Sequence, residues 1–119
     1  MIPGDIVAVD WRDDAIPRSL EPNKRRPAVV IGSPRFFDAD VPLRIVVPLT
    51  TREELNIRAA TLRIEPTAKN GCTAISYALA WNVQTVPFAR IRTTPSSVTD
   101  EQLAGLRKLV ARCIDIEVD

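Results

Sequence analysis

The side chains in this sequence best suited to chemistry are cations and hydroxyls. Lys24-Arg25-Arg26 places three positive charges in succession, directly before the apolar run Pro27-Ala28-Val29-Val30-Ile31. A guanidinium grips a phosphate or carboxylate through two parallel hydrogen bonds, so such a cluster suits an anion. Arg26 stands where the chain enters the run, with its backbone fixed by Pro27 and the strand that follows. Rigid placement of this kind favours a site more than a position in mid-loop does. The cluster has a plainer reading too, as charge that guards a hydrophobic strand against aggregation. Thr50 and Thr51 close a second apolar run over 43–49. Their hydroxyls either donate to the oxygens of an anion or satisfy the backbone of a turn.

Other chemistries are excluded. The chain has no histidine and two cysteines, Cys72 and Cys113, far apart in the sequence. Ser-His-Asp and Cys-His catalysis are therefore impossible, as are His-based and four-cysteine metal sites. The four glycines are isolated and supply no phosphate-binding loop. The acidic pairs Asp13-Asp14 and Asp38/Asp40 lack the spacing of a calcium loop and read as solvated loop charge. No metal or cofactor is expected. An enzyme built on this chain has to use carboxylates, Arg, Lys, hydroxyls or backbone amides. Two cysteines are too few for a disulfide framework and read as reduced thiols.

The elements that must position these groups follow from periodicity. Of the 119 residues, 45% are hydrophobic, and 16 Lys and Arg balance 15 Asp and Glu, so no global basic field announces a polyanionic partner. The length suits one domain over 1–119. The start has neither the basic nor the apolar region of a signal peptide, and no run approaches a membrane span; a soluble, cytoplasmic protein is the expectation. Residues 6–11, 27–31 and 43–49 read as strands, Pro48 implying an edge position or a bulge in the last. Residues 61–65 alternate as a half-buried strand does. The stretch 72–81 is ambiguous, and 83–91, with Pro87 inside, reads as a strand with a kink. Residues 12–26 form a long aperiodic loop of the sort that is often functional. At the other end, Thr99 and Gln102 have the spacing of a capping box. Leu103, Leu106, Val110, Cys113 and Ile114 then recur at steps of three and four, which predicts an amphipathic helix. A mainly β fold results, a small barrel or curled sheet of five to seven strands closed by one C-terminal helix.

Four blocks in order, Gly4-Asp5-Ile6-Val7-Ala8-Val9-Asp10, Arg26-Pro27-Ala28-Val29-Val30-Ile31, Val46-Val47-Pro48-Leu49-Thr50-Thr51 and Leu79-Ala80-Trp81-Asn82-Val83-Gln84-Thr85-Val86, together with the terminal helix, resemble the MazF/PemK family of toxin ribonucleases. The likeness spans essentially the whole chain. It implies a small SH3-like barrel of the MazF/CcdB type, commonly a homodimer. It also implies metal-independent cleavage of single-stranded RNA, often mRNA, through attack of a 2′-hydroxyl on the adjacent phosphate to leave a 2′,3′-cyclic phosphate. An antitoxin protein is the implied partner.

Carried onto this sequence, the family's arginine falls on Arg26 and its strand-end threonine on Thr50. An acidic residue five positions before the arginine falls on Glu21. Those assignments give Arg26 the developing charge, Thr50 a non-bridging oxygen and Glu21 the 2′-proton. Lys24, Arg25, Thr51, Trp81 and Asn82 are the implied RNA-binding residues. Trp81 could stack on a base or belong to the core; Asn82 could read a base edge or satisfy backbone. Many members carry an acid and a glutamine where this chain has Trp81-Asn82. That departure keeps a second expectation alive, a non-catalytic relative that, as CcdB-like proteins do, acts by binding a nucleic-acid or protein target.

Overall fold

A computed structural model describes residues 1–11, 25–57 and 59–118. Among these residues are seven strands and one α-helix: β1 (Asp5–Asp10), β2 (Arg25–Val30), β3 (Leu43–Thr50), β4 (Thr61–Ile64), β5 (Ser76–Leu79), β6 (Gln84–Pro87), β7 (Ile91–Ser97) and α1 (Asp100–Cys113). The strands pair antiparallel in the order β4-β5-β3-β2-β1-β7, with β6 also on β3. This is the mainly β architecture with a terminal helix that the patterning predicts.

Both faces of the central strands are covered, which explains why β1 to β3 read as nearly continuous apolar runs. Successive side chains of a strand point to opposite faces. On one face Ile6, Val29, Val47 and Leu49 pack with Ile64, Ala78 and the α1 residues Leu103 and Leu106. On the other, Val7, Val9, Ala28, Val30, Val46 and Val86 form a second core with Trp11. Burying a side chain such as Leu106 contributes roughly 1.5–3 kcal/mol, and β-branched residues suit the pleated strands that hold these cores.

The helix is fixed at its start and at its middle. Thr99 accepts from the Gln102 N–H and the Gln102 side chain accepts from the Thr99 N–H, both at 3.0 Å, completing the capping box. Further along, Arg107 Nε donates to the Ile31 carbonyl at 2.9 Å and ties α1 to the end of β2. No helix among the described residues is long and apolar enough to cross a membrane.

Three local expectations change. Pro48 lies on neither an edge nor a bulge: β3 is central and Pro48 is fully buried. Its missing N–H is tolerated because β3 changes partner there. Residues 43–46 pair with β6, residues 49–50 pair with β5, and Val47 and Pro48 fall between the two ladders. The ambiguous stretch 72–81 contains β5, followed by a 3₁₀ turn at Ala80–Asn82, and 83–91 contains β6 followed by a 3₁₀ turn at Phe88–Arg90. Strand β7 had no counterpart in the sequence reading. Its composition, rich in hydroxyls and containing Pro95, hides a strand that needs pairing only with β1.

A buried arginine closes the end of the sheet where β2 turns into β3. Arg44 is only 8% exposed. Its guanidinium donates to the carbonyls of Leu43 at 2.7 Å, Val41 at 3.0 Å and Asp38 at 3.3 Å, and it lies 4.5 Å from the centre of the Phe88 ring. Hydrogen bonds and the ring face together offset the cost of burying its charge.

Candidate functional site

The opposite end of β2 and β3 gathers the cations and hydroxyls. In the β2–β3 ladder Val29 faces Val47 and Ala28 faces Pro48. Carried past its last pair, that register sets Arg26 opposite Thr50, on the same face as Ala28 and Pro48. Across β3, Leu49 pairs with Ala78 and Thr50 with Tyr77, so Thr51 falls beside Ser76. Arg26, Pro27, Leu49, Thr50, Thr51 and Ser76 together line a small cleft of about 90 Å³. Residues separated by half the chain thus meet through strand register.

Within the cleft, Thr50 is 4% exposed and its Oγ1 accepts from the Arg52 N–H at 3.1 Å, which orients the hydroxyl. Arg26 is half-buried and Arg25 exposed. A second cleft of about 330 Å³ adjoins the first and shares Arg26, Pro27, Leu49, Thr51 and Ser76 with it, adding Arg25. No Asp or Glu lines either cleft among the described residues, whereas two arginines do. A phosphate placed between Arg26 and Thr50 meets a fixed positive charge and a fixed hydroxyl in a partly desolvated setting, the arrangement that stabilises charge developing on a phosphate oxygen.

The sequence reading missed several residues of the larger cleft. Asn70, Thr73, Ser76, Thr94 and Ser96 contribute its polar rim. None has a local signal, since β5, β7 and the loop before β5 reach the cleft only through pairing. Asn70 builds that loop: its Oδ1 accepts from the Thr67 and Cys72 N–H groups, each at 2.9 Å, and its Nδ2 donates to the Glu65 carbonyl at 2.8 Å. Cys72 is half-buried beside it, and both cysteines are free.

The remaining anticipated residues are distributed differently. Glu21 and Lys24 lie outside the described residues. Trp81 and Asn82 sit in the 3₁₀ turn after β5 and line neither cleft. The Trp81 indole donates to the Leu55 carbonyl at 3.0 Å and the residue packs on Leu55 and Leu79, the core reading of this tryptophan. Asn82 Oδ1 accepts from Gln84 Nε2 at 3.0 Å. Beyond Thr51, Arg52 donates to the Glu54 carboxylate at 3.1 Å and holds its pKa below the usual carboxylate range, with both groups at the surface.

Comparison with known proteins gives this arrangement a context. Residues 2–114 match the family model described as PemK-like, MazF-like toxin of type II toxin-antitoxin system. A search of curated protein sequences returns no match. Among solved structures, the chain resembles the Mycobacterium tuberculosis toxin MazF-mt6, with a TM-score of 0.68 and 19% identity over 98% of this chain and 100% of that one. An endoribonuclease from a mycobacterial species, solved in complex with its cognate antitoxin, gives a TM-score of 0.75 at 13% identity over 100% and 99% of the two chains. MazF from Deinococcus radiodurans gives 0.72 at 18% identity over 96% of each. At these identities the structural likeness is one of fold.

Proposed function

This chain belongs to the PemK-like, MazF-like family of toxins of type II toxin–antitoxin systems, and from that membership we propose that it is an endoribonuclease that cuts single-stranded RNA, in the first place mRNA, without a metal ion. The observation that carries the reading is the convergence of Arg26 and Thr50 in one cleft, with Arg25 in the adjoining one and no carboxylate lining either among the described residues.

In the proposed reaction the 2′-hydroxyl of one nucleotide attacks the adjacent phosphorus. A new oxygen–phosphorus bond forms, the bond to the 5′-oxygen breaks, and the departing 5′-oxygen takes a proton from water, so that a 2′,3′-cyclic phosphate and a 5′-hydroxyl result. Arg26 balances the charge that grows on the phosphate oxygens, and Thr50 donates to a non-bridging oxygen. Glu21 is the proposed acceptor of the 2′-proton. Lys24, Arg25 and Thr51 hold flanking phosphates. A cognate antitoxin is the proposed partner and the cytoplasm the proposed location. A homodimer is proposed because large apolar side chains remain exposed, among them Phe36 and Ile114, each 68% exposed. Light scattering on a sized sample checks this, and a monomer mass overturns it.

The test of the activity is cleavage of a long single-stranded RNA in EDTA by the wild type and by Arg26→Ala. Cleavage by the wild type alone, with cyclic phosphate ends, is the expected result. No cleavage by pure, folded wild type sinks the nuclease reading. Equal cleavage by both proteins removes Arg26 from the chemistry. A second reading, a non-catalytic relative that binds a nucleic-acid or protein target, draws on Trp81 standing where many members carry an acid; RNA binding without cleavage supports it.

A further inference from the structure

Phosphate binding at Arg26 and Thr50 needs the small cleft alone, yet the larger one beside it is equally well built. Its floor is apolar and comes from three adjacent strands, through Ala8, Pro27 and Leu49. Among the described residues, its rim away from Arg25 and Arg26 holds no charged side chain and several hydrogen-bonding ones. A second phosphate or a peptide carboxylate calls for cations on that rim. A flat aromatic heterocycle with donors and acceptors along its edge calls for an apolar floor and neutral polar walls.

We propose that this cleft seats one unpaired nucleobase of the RNA, next to the phosphate held by Arg26 and Thr50, and that the Thr73 and Ser96 hydroxyls select it. The proposal rests on the ribonuclease reading above. Most of the polar rim is already committed within the protein. The Asn70 amide holds its own loop. The Thr94 hydroxyl donates to the Ile6 carbonyl and accepts from the Ser96 N–H at 3.1 Å. The Ser76 hydroxyl donates to the Ala74 carbonyl at 3.2 Å. Thr51, Thr73 and Ser96 are the lining hydroxyls whose side chains make no such bond among the described residues, and Thr51 is already assigned to a flanking phosphate. The far wall is also set in position. Gly71 has φ of +65°, and a Cβ there would lie 2.6 Å from Ser96 Oγ, so the loop and β7 touch and limit the space. With a volume of about 330 Å³, the cleft suits a single nucleotide rather than a run of bases.

The test uses 2′-fluoro RNA oligonucleotides of random sequence, which lack the attacking hydroxyl, each carrying one photoreactive 4-thiouridine. The expected result is crosslinking to peptides containing Thr73 or Ser96 in the wild type, and about a tenfold loss of that product in Thr73→Leu, which fills the space from an exposed position. Ser96→Ala is expected to change the preferred base at one position of the cut-site consensus while cutting elsewhere in the sequence pattern is unaltered. Circular dichroism confirms that each variant is folded. Absence of crosslinks at these peptides, or an unchanged consensus in both folded variants, overturns the base seat while leaving the nuclease reading intact. Crosslinks at these peptides in a wild type that cuts no RNA sink the nuclease reading and leave the base seat standing.

Discussion

Strands β2 and β3 end in an arginine site at each extremity, and the two sites use the same side chain in opposite ways. At the turn between the strands, Arg44 is enclosed, with its guanidinium given to three backbone carbonyls and the Phe88 ring. At the far end, Arg25 and Arg26 line clefts with threonine and serine hydroxyls. The first arrangement holds a loop; the second places its charge beside open clefts. Residue type alone therefore does not separate a structural arginine from a functional one. What separates the two sites is enclosure: Arg44 is buried, whereas Arg26 is half-buried and Arg25 exposed beside a cleft.

The largest effect that sharpens this contrast is on activity. Arg26→Ala is expected to lower RNA cleavage by about a hundred- to a thousandfold, with a thermal midpoint close to wild type; a large fall in stability would place Arg26 in the same class as Arg44. Thr50→Val removes one donor with little change in volume, and a loss of cleavage about tenfold or more is expected, read in the same assay. Arg44→Ala should show the reverse pattern. It leaves buried carbonyls without their donor and costs about 3 kcal/mol in urea unfolding, while the folded fraction cuts RNA as before. Thr99→Ala, which touches neither end, removes the cap of α1 and costs about 1 kcal/mol in the same measurement.

The smallest effect concerns Glu54. Arg52 lowers its pKa in the folded state. Any stability it adds is present above the ordinary carboxylate value and is lost as pH falls through the lowered one. The pair is exposed, so Glu54→Gln is expected to leave the thermal midpoint unchanged between neutral and acid pH.

Legibility in the sequence followed the range of the interactions. The helix was readable because its signals are local: Thr99 and Gln102 sit three residues apart, and the apolar stripe repeats within α1. The strands β1 to β3 were readable because burial on both faces leaves long apolar runs. Arg26 and Thr50 could be singled out because each ends such a run, and the family resemblance joined them. Strand β7 was not readable, because its hydroxyl-rich sequence gains a strand's geometry only from β1. Ser76, Thr94 and Ser96 escaped for the same reason. Pro48 misled because its tolerance depends on two other strands dividing β3 between them. Trp81 had two readings that composition could not separate, and the hydrogen bond to Leu55 favours the core one.

The pairing of β1 with β7 has a consequence for when the protein becomes competent. Ile6 and Ala8 lie at the start of the chain and Thr94 and Ser96 near its end, and all four line the same cleft. A chain still being synthesised, with β7 not yet made, lacks one wall of that cleft and one of the two partners of its first strand. The order of synthesis thus delays the complete surface until β7 has emerged, however early β1 to β3 pair.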